Sequence, residues 1–130
     1  VAVVVLDASA AVELLLGSRA GRNVDRGLRG ATAAAPAHLD AEVLSALGRL
    51  ARDGSVSEER VAASLTELAR APVSRFPVAP LLAEAWELRA NLSLRDALYA
   101  ALARRLSATL LTADARLAHI PGLGIPLTVV

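Results

Sequence analysis

Val3-Val4-Val5-Leu6 is an unbroken apolar run that stops abruptly at Asp7. A strand that is apolar at every position has no face to offer water. It must lie inside a sheet covered on both sides, as parallel strands do. One such strand near the start of the chain obliges the rest to supply two covering layers.

The periodicity that follows supplies them. Ser9 offers an N-cap for a helix over 10–16, closed by Gly17-Ser18, and 22–28 reads as a short second helix ending near Gly30. Residues 32–35 form a short buried strand stopped by Pro36. In Leu39–Arg52 the apolar residues Leu39, Val43, Leu47 and Leu50 fall on one helical stripe, and Asp53-Gly54 ends it. Ser57 caps a helix with Glu58 and Glu59 in its first turn and Val61, Leu65 and Leu68 inside. A strand over 73–78, a helix opened by Pro80 and running to 90, and a helix over Leu94–Leu106 come next. A strand over Thr109–Thr112, a helical turn over 114–119 and a last short strand over 127–130 complete the order. Strands alternating with helices in this way predict an α/β fold, a three-layer α/β/α sandwich with a mostly parallel central sheet. Residues 1–130 show no repeat, low-complexity tract or linker that would split them into two domains.

Composition narrows the chemistry. The chain is 55% hydrophobic but only 2% aromatic, so its core is built from Ala, Val and Leu. It has no Cys, which excludes disulfides, thiolate nucleophiles and Cys-ligated zinc. With two His, at 38 and 119, a His-rich zinc site is disfavoured. All 14 basic residues are Arg, so neither a P-loop lysine nor Schiff-base chemistry is available. A net charge of +1 gives no global basic field for non-specific nucleic-acid binding. The first sixteen residues are apolar, but Asp7 and Glu13 interrupt them and no basic segment precedes them. No stretch is long and apolar enough for a membrane span, and a cytoplasmic protein is expected.

Four acids stand where open parallel sheets bind ligands, beyond the carboxyl ends of strands. Asp7 follows the first strand and Asp114 the fourth; Glu42 lies in the first turn of its helix, and Asp96 early in its own. Each has a second reading. Asp7 and Asp114 can cap helices, and Glu42 and Asp96 can be first-turn acids favoured by the helix dipole. Against this, Asp96 shares a face with Ala100 and Ala103, and Glu42 with Ala46, so both sit beside closely packed surfaces. Buried acids are rare unless paired or bound to a cation. Converging carboxylates repel, and a hard divalent ion relieves the conflict. With no Cys and little His, Mg²⁺ or Mn²⁺ is the expected ion and phosphodiester hydrolysis the natural reaction.

The segments Leu6-Asp7-Ala8-Ser9-Ala10, Ala41-Glu42-Val43-Leu44-Ser45-Ala46-Leu47, Arg95-Asp96-Ala97-Leu98-Tyr99-Ala100-Ala101-Leu102-Ala103 and Leu111-Thr112-Ala113-Asp114-Ala115-Arg116-Leu117 resemble the four motifs of PIN domains, and in particular the VapC-type toxins of bacterial toxin–antitoxin pairs. The resemblance covers essentially the whole chain. It implies a single PIN domain over 1–130 and a Mg²⁺- or Mn²⁺-dependent endoribonuclease with Asp7, Glu42, Asp96 and Asp114 as catalytic and metal-binding acids. Ser9 then matches the hydroxyl that supports the first acid, and Thr112 the one beside the fourth. It further implies an RNA substrate, a homodimer, and inhibition by a cognate antitoxin. Many relatives carry an aromatic where this chain has Arg95, which is either a ligand for an RNA phosphate or a solvated charge.

Trp86 and Tyr99 read as helix-packing residues with hydrogen-bonded tips rather than base-stacking ones. His38 reads as a surface or capping residue. Arg19, Arg22, Arg26 and Arg29 align along one helix, either as a solvated face or to steer RNA. Two rival readings remain. A haloacid-dehalogenase-like phosphatase would need a second Asp where Ser9 stands, and a response-regulator receiver would need a late Lys that is absent. The alternative function is a PIN-like scaffold that binds RNA or protein without cutting.

Overall fold

The computed structural model describes residues 2–130. Its five strands are β1 (Ala2–Leu6), β2 (Ala31–Pro36), β3 (Val73–Phe76), β4 (Thr109–Thr112) and β5 (Leu127–Val129). Its α-helices are α1 (Ala8–Leu16), α2 (Arg19–Leu28), α3 (Leu39–Arg52), α4 (Glu58–Arg70), α5 (Leu82–Glu87) and α6 (Leu94–Leu106). The strands lie in the order β3-β2-β1-β4-β5, and each neighbouring pair is parallel. The apolar β1 is thus the middle strand, with Val5 0% exposed. The chain builds outward from β1 through β2 to β3, then returns to place β4 on its other side. That reversal makes the carboxyl end of β1 a topological switch point, where such sheets open a crevice.

One layer is formed around α1, which packs on α2, α3 and α4. The other is α6, laid across β1, β2 and β4 with α5 beside it. The expected stripe on α3 is buried at Leu39, Val43 and Leu47. Helix α6 is buried at Ala97, Tyr99, Ala100, Ala101, Leu102 and Ala103, and its alanines let it approach the sheet closely. No helix among the described residues is long and apolar enough to cross a membrane.

Local chemistry moved several boundaries. Asp7, not Ser9, caps α1, because its side chain reaches the Ala10 amide. Helix α2 starts at Arg19 rather than residue 22, since Ser18 accepts from the Gly21 amide and caps it. Pro36 does not stop β2 but is its last residue, opposite Phe76, where a missing N–H is tolerated at a strand end. Strand β3 ends at Phe76, before Pro77, instead of reaching 78. The helix expected over 80–90 is a 3₁₀ turn at Ala79–Leu81 followed by the short α5.

Gly21 is where α1 and α2 meet most closely. A Cβ there would stand 2.0 Å from the Glu13 carbonyl oxygen. Gly21→Ala is therefore expected to cost about 2 kcal/mol and to lower Tm in a thermal melt. Gly48→Ala in α3 is the control: its Cβ meets only the end of Arg52, at 3.5 Å. It should leave Tm unchanged or raise it through helix propensity.

Candidate active site

Asp7 leaves the carboxyl end of the central strand and is only 5% exposed. Its Oδ1 accepts from the Ala10 amide at 2.9 Å and from Ser9 Oγ at 2.7 Å. Ser9 Oγ in turn accepts from the Ala113 amide at 2.9 Å and lies 3.3 Å from Thr112 Oγ1. Thr112, itself fully buried, accepts from the Asp114 amide at 3.0 Å. Two hydroxyls thus stitch the end of β1 to the end of β4 and set the backbone that carries Asp7 and Asp114.

Burial is the main force on the Asp7 carboxyl and raises its pKa. Hydrogen bonds from Thr112, Ala10 and Ser9 pull the other way, and the negative charge of Asp96 adds to the rise. Asp96 sits in the first turn of α6, whose N-cap Ser93 accepts from the Asp96 amide. Among the described residues the Asp96 carboxylate makes no salt bridge. The Asp96 carboxylate lies within electrostatic reach of both the Asp7 carboxyl and the Arg116 guanidinium.

The other two acids have partners. Glu42, in the first turn of α3, accepts at Oε1 from Tyr99 Oη at 2.6 Å, and His38 Nε2 lies 3.3 Å from the same oxygen. Its Oε2 is 3.7 Å from an Arg95 guanidinium nitrogen. Burial first, and then the Glu42 carboxylate, drive the Tyr99 phenol far above its ordinary range, so it is a permanent donor. Asp114 caps the 3₁₀ turn Ala115–His119 and is gripped by Arg116, whose guanidinium donates to both carboxylate oxygens, at 2.7 Å to Oδ2 and 3.0 Å to Oδ1. Those Arg116 hydrogen bonds hold the Asp114 carboxyl below its usual value. Asp96, Asp114 and Arg116 line a cleft of about 240 Å³ with Ser93 and Leu117.

The four acids thus surround one mouth of the sheet, but they do not form the shared four-carboxylate cage expected from the sequence. Among the described residues no group of three or more His, Cys, Asp or Glu side chains is arranged to hold a metal ion. The donor chemistry still fits Mg²⁺ or Mn²⁺, which keep much of their water and take one or two carboxylates. Asp7 and Asp96 would be the carboxylates to hold it, and a cation there would offset the charge that Asp96 places on Asp7.

Arg95 is 75% exposed at its side chain, beside Glu42 rather than free in solvent. Sequence reasoning gave Arg116 no role, although its place two residues after Asp114 at a helix start was the available signal. It also missed the tie between Tyr99 and Glu42; the spacing of three residues from Asp96 to Tyr99 put both on one face. The arginines of α2 lie away from the acids. Arg29 pairs with Asp25, and Arg26 with Asn23, near the amino end of β2.

Comparison with known proteins gives the family and the fold. The PIN domain family model matches residues 4–123. Ribonuclease VapC3 of Mycobacterium tuberculosis is 49% identical over 117 residues, covering 89% of this chain and 85% of the relative. Ribonuclease VapC12 of the same organism is 41% identical over 119 residues, 92% of each. The crystal structure of VapBC2 from Rickettsia felis bound to a promoter DNA fragment superposes with a TM-score of 0.69 at 18% identity, covering 97% of each chain, and supports the fold.

The raised Asp7 carboxyl has a consequence for stability. The folded chain holds that proton more tightly than the unfolded chain. The stability this contributes is full below the usual value of 3.8 and is lost as pH rises through the folded value. At neutral pH without divalent cations, Asp7→Asn, which keeps an acceptor for Ala10 and Ser9, is expected to melt above wild type. Asp7→Ala, which loses the cap, should be about 1 kcal/mol less stable than Asp7→Asn. Thermal melts in a chelator check both.

Proposed function

This chain belongs to the PIN-domain family and, within it, to the VapC ribonucleases, and from that premise we propose that it is the toxin endoribonuclease of a toxin–antitoxin pair, hydrolysing RNA phosphodiester bonds with Mg²⁺ or Mn²⁺. The observation that carries the reading is Asp7: a carboxylate buried at the sheet's switch point, oriented by Ser9, with its pKa raised by burial first and then by the nearby charge of Asp96. An uncharged Asn would cap α1 as well, whereas burying a carboxylate within reach of a second one costs stability, so the charge points to a function.

In this reading Asp7 and Asp96 hold the divalent ion, with Glu42 and Asp114 completing the acidic site. When bound, the ion supplies positive charge that neutralises phosphoryl oxygens and acidifies water at the site. Ser9 keeps Asp7 in place, and Thr112 fixes the amide of Asp114. Burial of Asp7 limits competing hydration, so its charge acts in a low-dielectric surround. Arg95, exposed at the rim, offers a guanidinium to a phosphate of the RNA. Residues 1–130 act as one PIN domain in the cytoplasm. The exposed side chains of Leu82, Trp86 and Leu94 support association with protein, a second copy as homodimer and a cognate antitoxin. The alternative of a non-cutting scaffold is disfavoured by the intact set of acids.

A panel of structured RNAs incubated with Mn²⁺ or Mg²⁺ tests the proposal. Cleavage should vanish in a chelator and fall by about 10²-fold or more in Asp7→Asn and in Asp96→Asn. RNA binding without cleavage across the panel and both metals would favour the scaffold instead. Arg95→Ala should raise KM several-fold while changing kcat less, as loss of a phosphate contact outside the reacting centre does.

A further inference from the structure

Tyr99 is the bulkiest fully buried side chain, 1% exposed, and among the described residues its hydroxyl hydrogen bonds to a single side chain, that of Glu42. A buried phenol needs an acceptor, and a backbone carbonyl would serve. Here the acceptor is one of the candidate acids, at 2.6 Å, on a different helix 57 residues away. The tie also reaches Asp96. Tyr99 follows it by three residues on α6, and the helix between is locked to the sheet through Ala97, Ala100 and Ala101, each no more than 1% exposed. The hydroxyl's place is therefore set by core packing. A Glu side chain on a first turn otherwise samples many rotamers.

The two oxygens of Glu42 are treated differently. Oε1 takes the Tyr99 hydroxyl and faces His38, whose ring packs on Tyr99 with centroids 4.6 Å apart. His38 Nε2 also lies 3.1 Å from the Arg95 carbonyl, joining the start of α3 to the start of α6. Among the described residues, Oε2 accepts no hydrogen bond and makes one ion pair, with the exposed Arg95 guanidinium at 3.7 Å. We infer that Tyr99 is a positioning residue for Glu42: by committing Oε1 it leaves Oε2 as the working oxygen and fixes the spacing between Glu42 and Asp96. This rests on the function proposed above and assigns a role to a residue outside the four acids.

A double-mutant cycle tests it on wild type, Tyr99→Phe, Glu42→Ala and the pair of substitutions, at a temperature where all four are folded by circular dichroism. Mn²⁺ affinity is read by electron paramagnetic resonance without RNA, and kcat and KM are read separately on a cleaved RNA. Tyr99→Phe keeps the ring and should weaken Mn²⁺ binding by about tenfold, with kcat falling and KM steady. In the Glu42→Ala background the same substitution should change neither. Unchanged Mn²⁺ affinity in Tyr99→Phe, or an equal loss in both backgrounds, would overturn the inference, since a purely structural role is indifferent to Glu42. Absence of Mn²⁺ binding and cleavage in the wild type would instead overturn the functional proposal, and this inference with it.

Discussion

The Ser9 hydroxyl holds the site together. It donates to Asp7 and accepts from Ala113, so one side chain joins the ends of two neighbouring parallel strands. Main-chain pairing between β1 and β4 brings those ends side by side, with Leu6 opposite Leu111. Without Ser9, the Asp7 carboxylate would keep only the Ala10 amide and Thr112 against the cost of its burial. The cap of α1, the seat of Asp7 and the backbone before Asp114 depend on the same few atoms.

Charge around the mouth is divided unevenly. Glu42 and Asp114, the outer acids, are matched with Tyr99, Arg95 and Arg116. Asp7 is held by the Ser9 hydroxyl and the Ala10 amide and by no ion pair among the described residues, and the charge of Asp96 adds to its burial penalty. The most deeply buried of the four acids thus stands at the point where the sheet opens. Arg116 is highly exposed, so its grip on Asp114 is a surface contact of small worth that a competing phosphate or cation can replace. Tyr99 is different: it is buried, and its hold on Glu42 belongs to the core.

Much of this was legible in the chain. The run 3–6 demanded a covered strand, and the stripe Leu39, Val43 and Leu47 placed α3 at its observed bounds. Local competition was harder to read. Asp7 and Ser9 are both good capping residues, and only the path of the backbone after β1 decides which carboxylate or hydroxyl reaches Ala10. Pro36 reads as a terminator, yet a strand's last residue can dispense with its N–H. The α5 region was overextended because Pro80 sits in a 3₁₀ turn, and a helical period does not separate that turn from the α-helix after it.

The sequence by itself determined the fold class and the edge of the sheet to which the four candidate acids go. Those follow from periodicity and from where each residue falls relative to a strand or helix end, which are local properties of the chain. Tertiary structure alone decided which partners each acid meets. Tyr99 meets Glu42 across 57 residues, and Ser9 meets Ala113 across 104. Hydrogen bonds and charges act over a few ångströms through space, and that distance exists only once the two helical layers have closed on the sheet.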